Sequence, residues 1–186
     1  MKKQWAWIVL GVLVVGLLGW GVTLANQLAR MSEGVNASWA QVDNQLKRRA
    51  DLVPNLVATV KGYAAHERGV FESIASARAQ LAGAKSVDQK ANASARFESA
   101  LSRLLVVVEQ YPNLKADAQF ARLMDELAGS ENRLSVERMR YNDTVKAYNL
   151  VVITFPGSLV ARLAGYQKHA YFEVSTADRE RPSVSF

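Results

Sequence analysis

Few residues in this chain are of a type that does acid–base, nucleophilic or metal chemistry. His66 and His169 are the only histidines among 186 residues, and cysteine is absent. Without cysteine there is no thiol nucleophile, thiolate metal site or disulfide framework. His66 opens "HERGV", which lacks the second histidine that a zinc-binding H-E-x-x-H helix places one turn further on. There is no Gly-rich phosphate loop, no G-x-S-x-G elbow and no Glu-x-x-His pair of the di-iron bundle type. The chain therefore reads as a non-enzyme, with no catalytic, cofactor-binding or metal-binding residue assigned.

The charges that carry information are those that interrupt apolar rows. Stepping by seven from Trp39 gives Leu46, Val53, Val60, Glu67, Ile74 and Leu81, with a companion row Val35, Val42, Arg49, Leu56, Tyr63, Val70 and Ala77. A second pair of rows runs Phe120, Leu127, Leu134, Tyr141, Tyr148, Phe155 and Met124, Glu131, Arg138, Val145, Val152. Arg49, Glu67, Glu131 and Arg138 thus fall on seams that should be buried, and buried charge is costly unless paired. Seven residues along one helix is ~10 Å of rise, too far for easy pairing, so the partners are expected on other helices. Asp51, Arg133 and Glu109 are further candidates for this layer. It reads first as a register-fixing polar layer and second as a ligand or partner site inside the bundle.

The dipeptide Tyr-Asn occurs at 141–142 and again at 148–149. Its spacing is the seam's own repeat, so both tyrosines are expected in the core, each needing a partner for its hydroxyl. Asn142 and Asn149 flank the seam and are expected to supply such partners. The pair is read as architecture rather than as a ligand site.

The elements that must position these residues are helices. No segment alternates with period two over a useful length, glycine and proline are sparse, and good helix formers dominate. Sustained heptad rows imply long helices packed as an up-and-down antiparallel bundle, an all-α fold. Gly83–Ser86 reads as a turn with Ser86 as N-cap. A helix carrying Phe97, Leu101, Leu104, Leu105, Val108 and Tyr111 follows and ends near Pro112-Asn113. Pro54 keeps the register and predicts a kink in a continuing helix. After Pro156-Gly157 comes a short amphipathic piece, "SLVARLAGYQ".

The N-terminus is uncharged from Gln4 to Leu28, enough to cross a bilayer at ~20 residues per span. Trp5, Trp7 and Trp20 stand near the ends of the span, where indoles favour the interface. A signal peptide cleaved after Thr23-Leu-Ala25 is the rival reading. Its apolar region would be only ~7–15 residues long, so a retained anchor is expected. Lys2 and Lys3 against Arg30 predict the N-terminus in the cytoplasm and the bundle on the extracytoplasmic side of the inner membrane. Gly21, Ala25 and Ala29 form a small-residue row compatible with lateral pairing of anchors. The expected organisation is an anchor over 1–28, a bundle over 29–173 and a flexible tail over 174–186. Net charge is +6 and dispersed. "LKRRAD" has no accompanying aromatics for base stacking, so nucleic acid is not an expected partner.

Four blocks carry a resemblance: "QLKRRADLVPNLVATVKGYAAHE", "LSRLLVVVEQYPNLKAD", "ELAGSENRLSVERMRYNDTVKAYN" and "FPGSLVARLAGYQKHAYFE". Together and in this order they resemble the LemA family of bacterial membrane proteins. The resemblance implies an N-terminal membrane helix followed by an up-and-down helical bundle, and it implies no reaction.

The expectation is a single-pass membrane protein whose bundle acts as a scaffold or adaptor for other membrane or envelope proteins, needing no cofactor. The bilayer is contacted through residues 4–28, and self-association is compatible with the anchor. The alternative is a small-ligand sensor or carrier using the polar layer. Val184 and Phe186 share one face of an extended strand and, with the terminal carboxylate, form a candidate docking tail of the kind a sheet-edge receptor reads.

Overall fold

The computed structural model describes residues 2–64 and 66–173. Among them are six helices and no strand: α1 Lys2–Lys61, α2 Arg68–Gly83, α3 Val87–Val108, α4 Pro112–Lys115, α5 Ala118–Ile153 and α6 Gly157–Ala164. The all-α architecture, an apolar N-terminal helix leading into a helical bundle, is as the periodicity requires. Helix α1 passes through residue 28 and through Pro54 without interruption. Its N-terminal part is long and apolar enough to cross a membrane, and Gly11 to Trp20 are all exposed.

The chain forms two compact units. One comprises residues up to Ser38 together with Asn142–His169; the other comprises Trp39–Tyr141 together with the chain from Ala170.

In the second unit, the α1 face that carries Val42, Leu46, Val53, Leu56 and Val60 is buried, as are Phe71 and Ile74 of α2 and Phe97, Leu101 and Leu104 of α3. From α5, Phe120, Leu127, Leu134 and Tyr141 enter the same core. Ser86 caps α3 in a reciprocal capping box, its hydroxyl accepting from Gln89 N–H while the Gln89 side chain accepts from Ser86 N–H. Asp117 caps α5: one carboxylate oxygen accepts from the N–H groups of Gln119 and Phe120, both at 2.8 Å. The other accepts from the Tyr63 hydroxyl at 2.9 Å. The Phe120 N–H and the Tyr63 hydroxyl hold this carboxyl below its ordinary range.

The first heptad row is not one helix. Helix α1 stops at Lys61, Gly62 and Tyr63 turn away from it, and α2 restarts at Arg68. The apolar faces on the two sides stay in step: Val60 is buried before the break, Ala64 within it, and Phe71 and Ile74 after it. Glu67, expected within the seam, is instead the residue that precedes α2, so its charge need not be buried in a helix.

In the first unit, Leu28 and Val35 of α1 and Val145 and Tyr148 of α5 are buried, with Ala161 of α6. Helices α5 and α6 are bent by 92°. The bend brings Gly157 against the end of α5. A Cβ there would overlap the Val151 carbonyl oxygen and lie 2.9 Å from Val151 Cγ1. The apolar row of α5 leaves the core at this point: Phe155 lies beyond the helix and is 83% exposed.

Candidate functional site

The charge layer is built in the second unit by α1, α3 and α5. Arg49 is only 5% exposed. Its Nη2 donates to Glu98 Oε2 at 2.7 Å, and its Nη1 faces both Glu98 Oε1 and Glu131 Oε2. Arg138 lies 4.0 Å from Glu131 Oε1 and donates from Nη2 to the Ser94 hydroxyl at 2.8 Å. Its guanidinium also sits 4.9 Å over the Phe172 ring. Burial, outweighing the attraction of Glu98, pulls the Arg138 pKa below its ordinary value, and the neighbouring Arg49 adds to the same direction. The Nε groups of Arg49 and Arg138 are buried without a protein acceptor among the described residues.

Of the residues expected in the layer, Arg49, Glu131 and Arg138 come together. Asp51 does not join them; it is exposed and lies 3.4 Å from Arg78. Arg133 is exposed on α5, Glu67 precedes α2, and Glu109 pairs at the surface with Lys115 at 2.8 Å. The member the heptad rows missed is Glu98. It stands one turn beyond Ser94 on α3, a helix whose apolar side was legible but whose flanking charge was not assigned. A second interhelical pair, Lys90–Asp43 at 2.7 Å, joins α3 to α1. Among the described residues no group of three or more His, Asp or Glu side chains is placed to hold a metal ion.

The Tyr-Asn repeat does something the seam alone did not suggest. The extended segment after α6 has no helical or strand hydrogen bonds of its own, and α5 supplies them from side chains. In the first unit Tyr148 donates to the Gln167 carbonyl at 2.9 Å. Asn149 both donates to the His169 carbonyl and accepts from the His169 N–H, each at 2.9 Å. In the second unit Tyr141 donates to the Ala170 carbonyl at 2.8 Å, with the Trp39 ring packed against it at 5.3 Å and tilted by 56°. Both tyrosine hydroxyls donate to backbone carbonyls of the return segment, the segment that Asn149 also bonds. Burial, with a smaller contribution from the charge of Asp88, pushes the Tyr141 phenol up to about 12. His169 packs edge-on to Tyr148 at 4.8 Å and its Nε2 lies 3.4 Å from the Ser32 hydroxyl. Burial lowers its pKa from the ordinary 6.5.

Val184 and Phe186 lie outside the described residues.

The pattern of the LemA family matches residues 38–186. The chain is 25% identical over 181 residues to magnetosome protein MamQ 1 of Paramagnetospirillum magneticum, covering 82% of this chain and 65% of that protein. It is 25% identical over 199 residues to magnetosome protein MamQ of Magnetospirillum gryphiswaldense, covering 91% and 73%. Protein LemA of Metamycoplasma hominis is 23% identical over 156 residues, covering 83% and 71%. The chain thus spans just under two thirds of the length of the P. magneticum relative.

Proposed function

This chain belongs to the LemA family, and from that premise we propose that it is a single-pass membrane protein whose helical bundle serves as a scaffold for other proteins near the membrane. The observation that carries the reading is the charge layer. Its carboxylates, Glu98 and Glu131, are taken up by Arg49 and Arg138, so the most chemically distinctive groups of the bundle are engaged in joining α1, α3 and α5. A polar layer of this kind fixes register, the role best attested for charged seam residues. The anchor is retained, the N-terminus is cytoplasmic and the bundle is extracytoplasmic. Val184 and Phe186 are candidate contacts for a docking partner.

The test is extraction from native membranes. A retained anchor resists carbonate, the mature chain begins at Met1 or Lys2, and mild detergent brings down specific protein companions. A mature chain beginning at Asn26 contradicts the anchor. Companions that persist after deletion of residues 183–186 assign binding to the bundle rather than to the tail.

A second reading draws on the two buried Nε donors: a small polar ligand that accepts from Arg49 and Arg138 within the layer. A ligand that raises the melting temperature of the wild type, but not of Arg138→Met, supports it.

A further inference from the structure

The first unit carries an apolar surface that its own core does not use. Leu150 and Ile153 at the end of α5, Phe155 in the turn, and Leu159 and Leu163 on α6 are between 56% and 83% exposed. Leu159 and Leu163 are one turn apart and share a face of α6, while Gly157 and Ala161 are the buried residues of that helix. No charged residue occurs between Lys146 and Arg162. Large apolar side chains exposed in such number along an uncharged run mark a surface that is covered in the working protein.

Its position along α1 says what covers it. The Ser32 hydroxyl bonds to the Tyr148 hydroxyl, and a Cβ on Gly34 would lie 4.0 Å from Thr144 Cγ2. The two helices therefore run antiparallel, with residue 33 roughly level with residue 146. Both rise ~1.5 Å per residue, so continuing this register sets Ile153 about level with Asn26 and Phe155 about level with Leu24. The burial pattern agrees: Leu28 is buried and Leu24 and Ala25 are half-buried, whereas Gly11 to Trp20 are all exposed. The elbow thus stands beside the last turns of the uncharged span. Helix α6 then departs from α5 at 92°. A helix at right angles to one that runs alongside a membrane span lies close to the membrane plane.

We propose that the α5–α6 elbow is an interfacial membrane element: α6 lies in the bilayer leaflet from which α1 emerges, with Phe155, Leu159 and Leu163 among the acyl chains. Arg162, in the last turn of α6, and Lys168 are both exposed and stand where lipid phosphates accept from them. This rests on the membrane-anchor reading and extends it from one point of attachment to two. A span held at both its own helix and a neighbouring elbow has its tilt set by protein packing.

The natural sequence has no cysteine, so single cysteines can be placed and spin-labelled without further changes. Phe155→Cys, Leu159→Cys and Leu163→Cys replace exposed side chains, and Met139→Cys, at 59% exposure in the other unit, is the reference. The full chain is reconstituted in vesicles of equal parts phosphatidylcholine and phosphatidylglycerol. At the three elbow positions labels are expected to collide several-fold more often with oxygen than with a water-soluble nickel chelate, and at 139 the reverse. Elbow labels as accessible to nickel as residue 139 overturn the proposal. So do elbow labels shielded from both reagents and broadened by one another, the signature of a second copy on the patch. Carbonate resistance, measured on the same samples, separates the failure of the elbow from the failure of the anchor.

Discussion

Arg49 is held by two carboxylates from two other helices, and this redundancy decides what each deletion does. Glu131 keeps 39% of its side-chain surface exposed, so its contribution is screened by solvent. Glu131→Ala leaves Arg49 paired with Glu98 and is expected to cost about 0.5–1.5 kcal/mol in urea unfolding. Removing Glu98 as well strands a buried guanidinium and should raise the loss to about 3–5 kcal/mol. Adding Arg49→Met to that double variant should recover most of it, because the uncompensated charge is gone. A double variant no less stable than Glu131→Ala alone would mean that the layer is hydrated and holds nothing. Three members of the layer were legible because a charge in an apolar row is conspicuous. Glu98 was not, because it flanks its row rather than interrupting it. Glu67 was misassigned for a related reason: the row runs on through a turn whose residues also step by seven.

At the scale of elements, the extended return after α6 depends on side chains of α5. Asn149→Ala removes both bonds to the His169 backbone and is expected to cost about 1–3 kcal/mol, with faster amide exchange over 167–170. If exchange there is unchanged, the segment is held by packing alone. His169 adds a pH dependence. Its folded pKa lies below the ordinary 6.5, so the unfolded chain binds more protons in that window and stability falls as pH drops through it. Melting followed from pH 7.5 down to about 5 should show a decline that His169→Gln reduces, well above the acid range in which Asp117 titrates. At the bend, Gly157→Ala forces a methyl into the Val151 carbonyl and should cost about 1–3 kcal/mol. An unchanged melting temperature would show that α6 shifts freely. The helices themselves were readable from period and capping residues. The return segment was not, because "YQKHAYFE" has no period of its own, and the Tyr-Asn repeat that holds it looked like ordinary seam.

For the whole molecule, the N-terminal span was legible from length and composition, since nothing else in the chain is uncharged for so long. The elbow beside it was not, because its apolar residues continue a core row to Phe155 and leave the core only where the helix ends. In the proposed scaffold the bundle presents its outside to other proteins while its charges hold the inside together. Site-specific photo-crosslinking in native membranes tests this most directly. The photoreactive residue would replace Val106 on α3 and Met139 on α5, which are 66% and 59% exposed. The scaffold reading predicts discrete adducts from the bundle surface that contain a second, reproducible envelope protein. Adducts with lipid alone, or no protein adduct from either position, would contradict it.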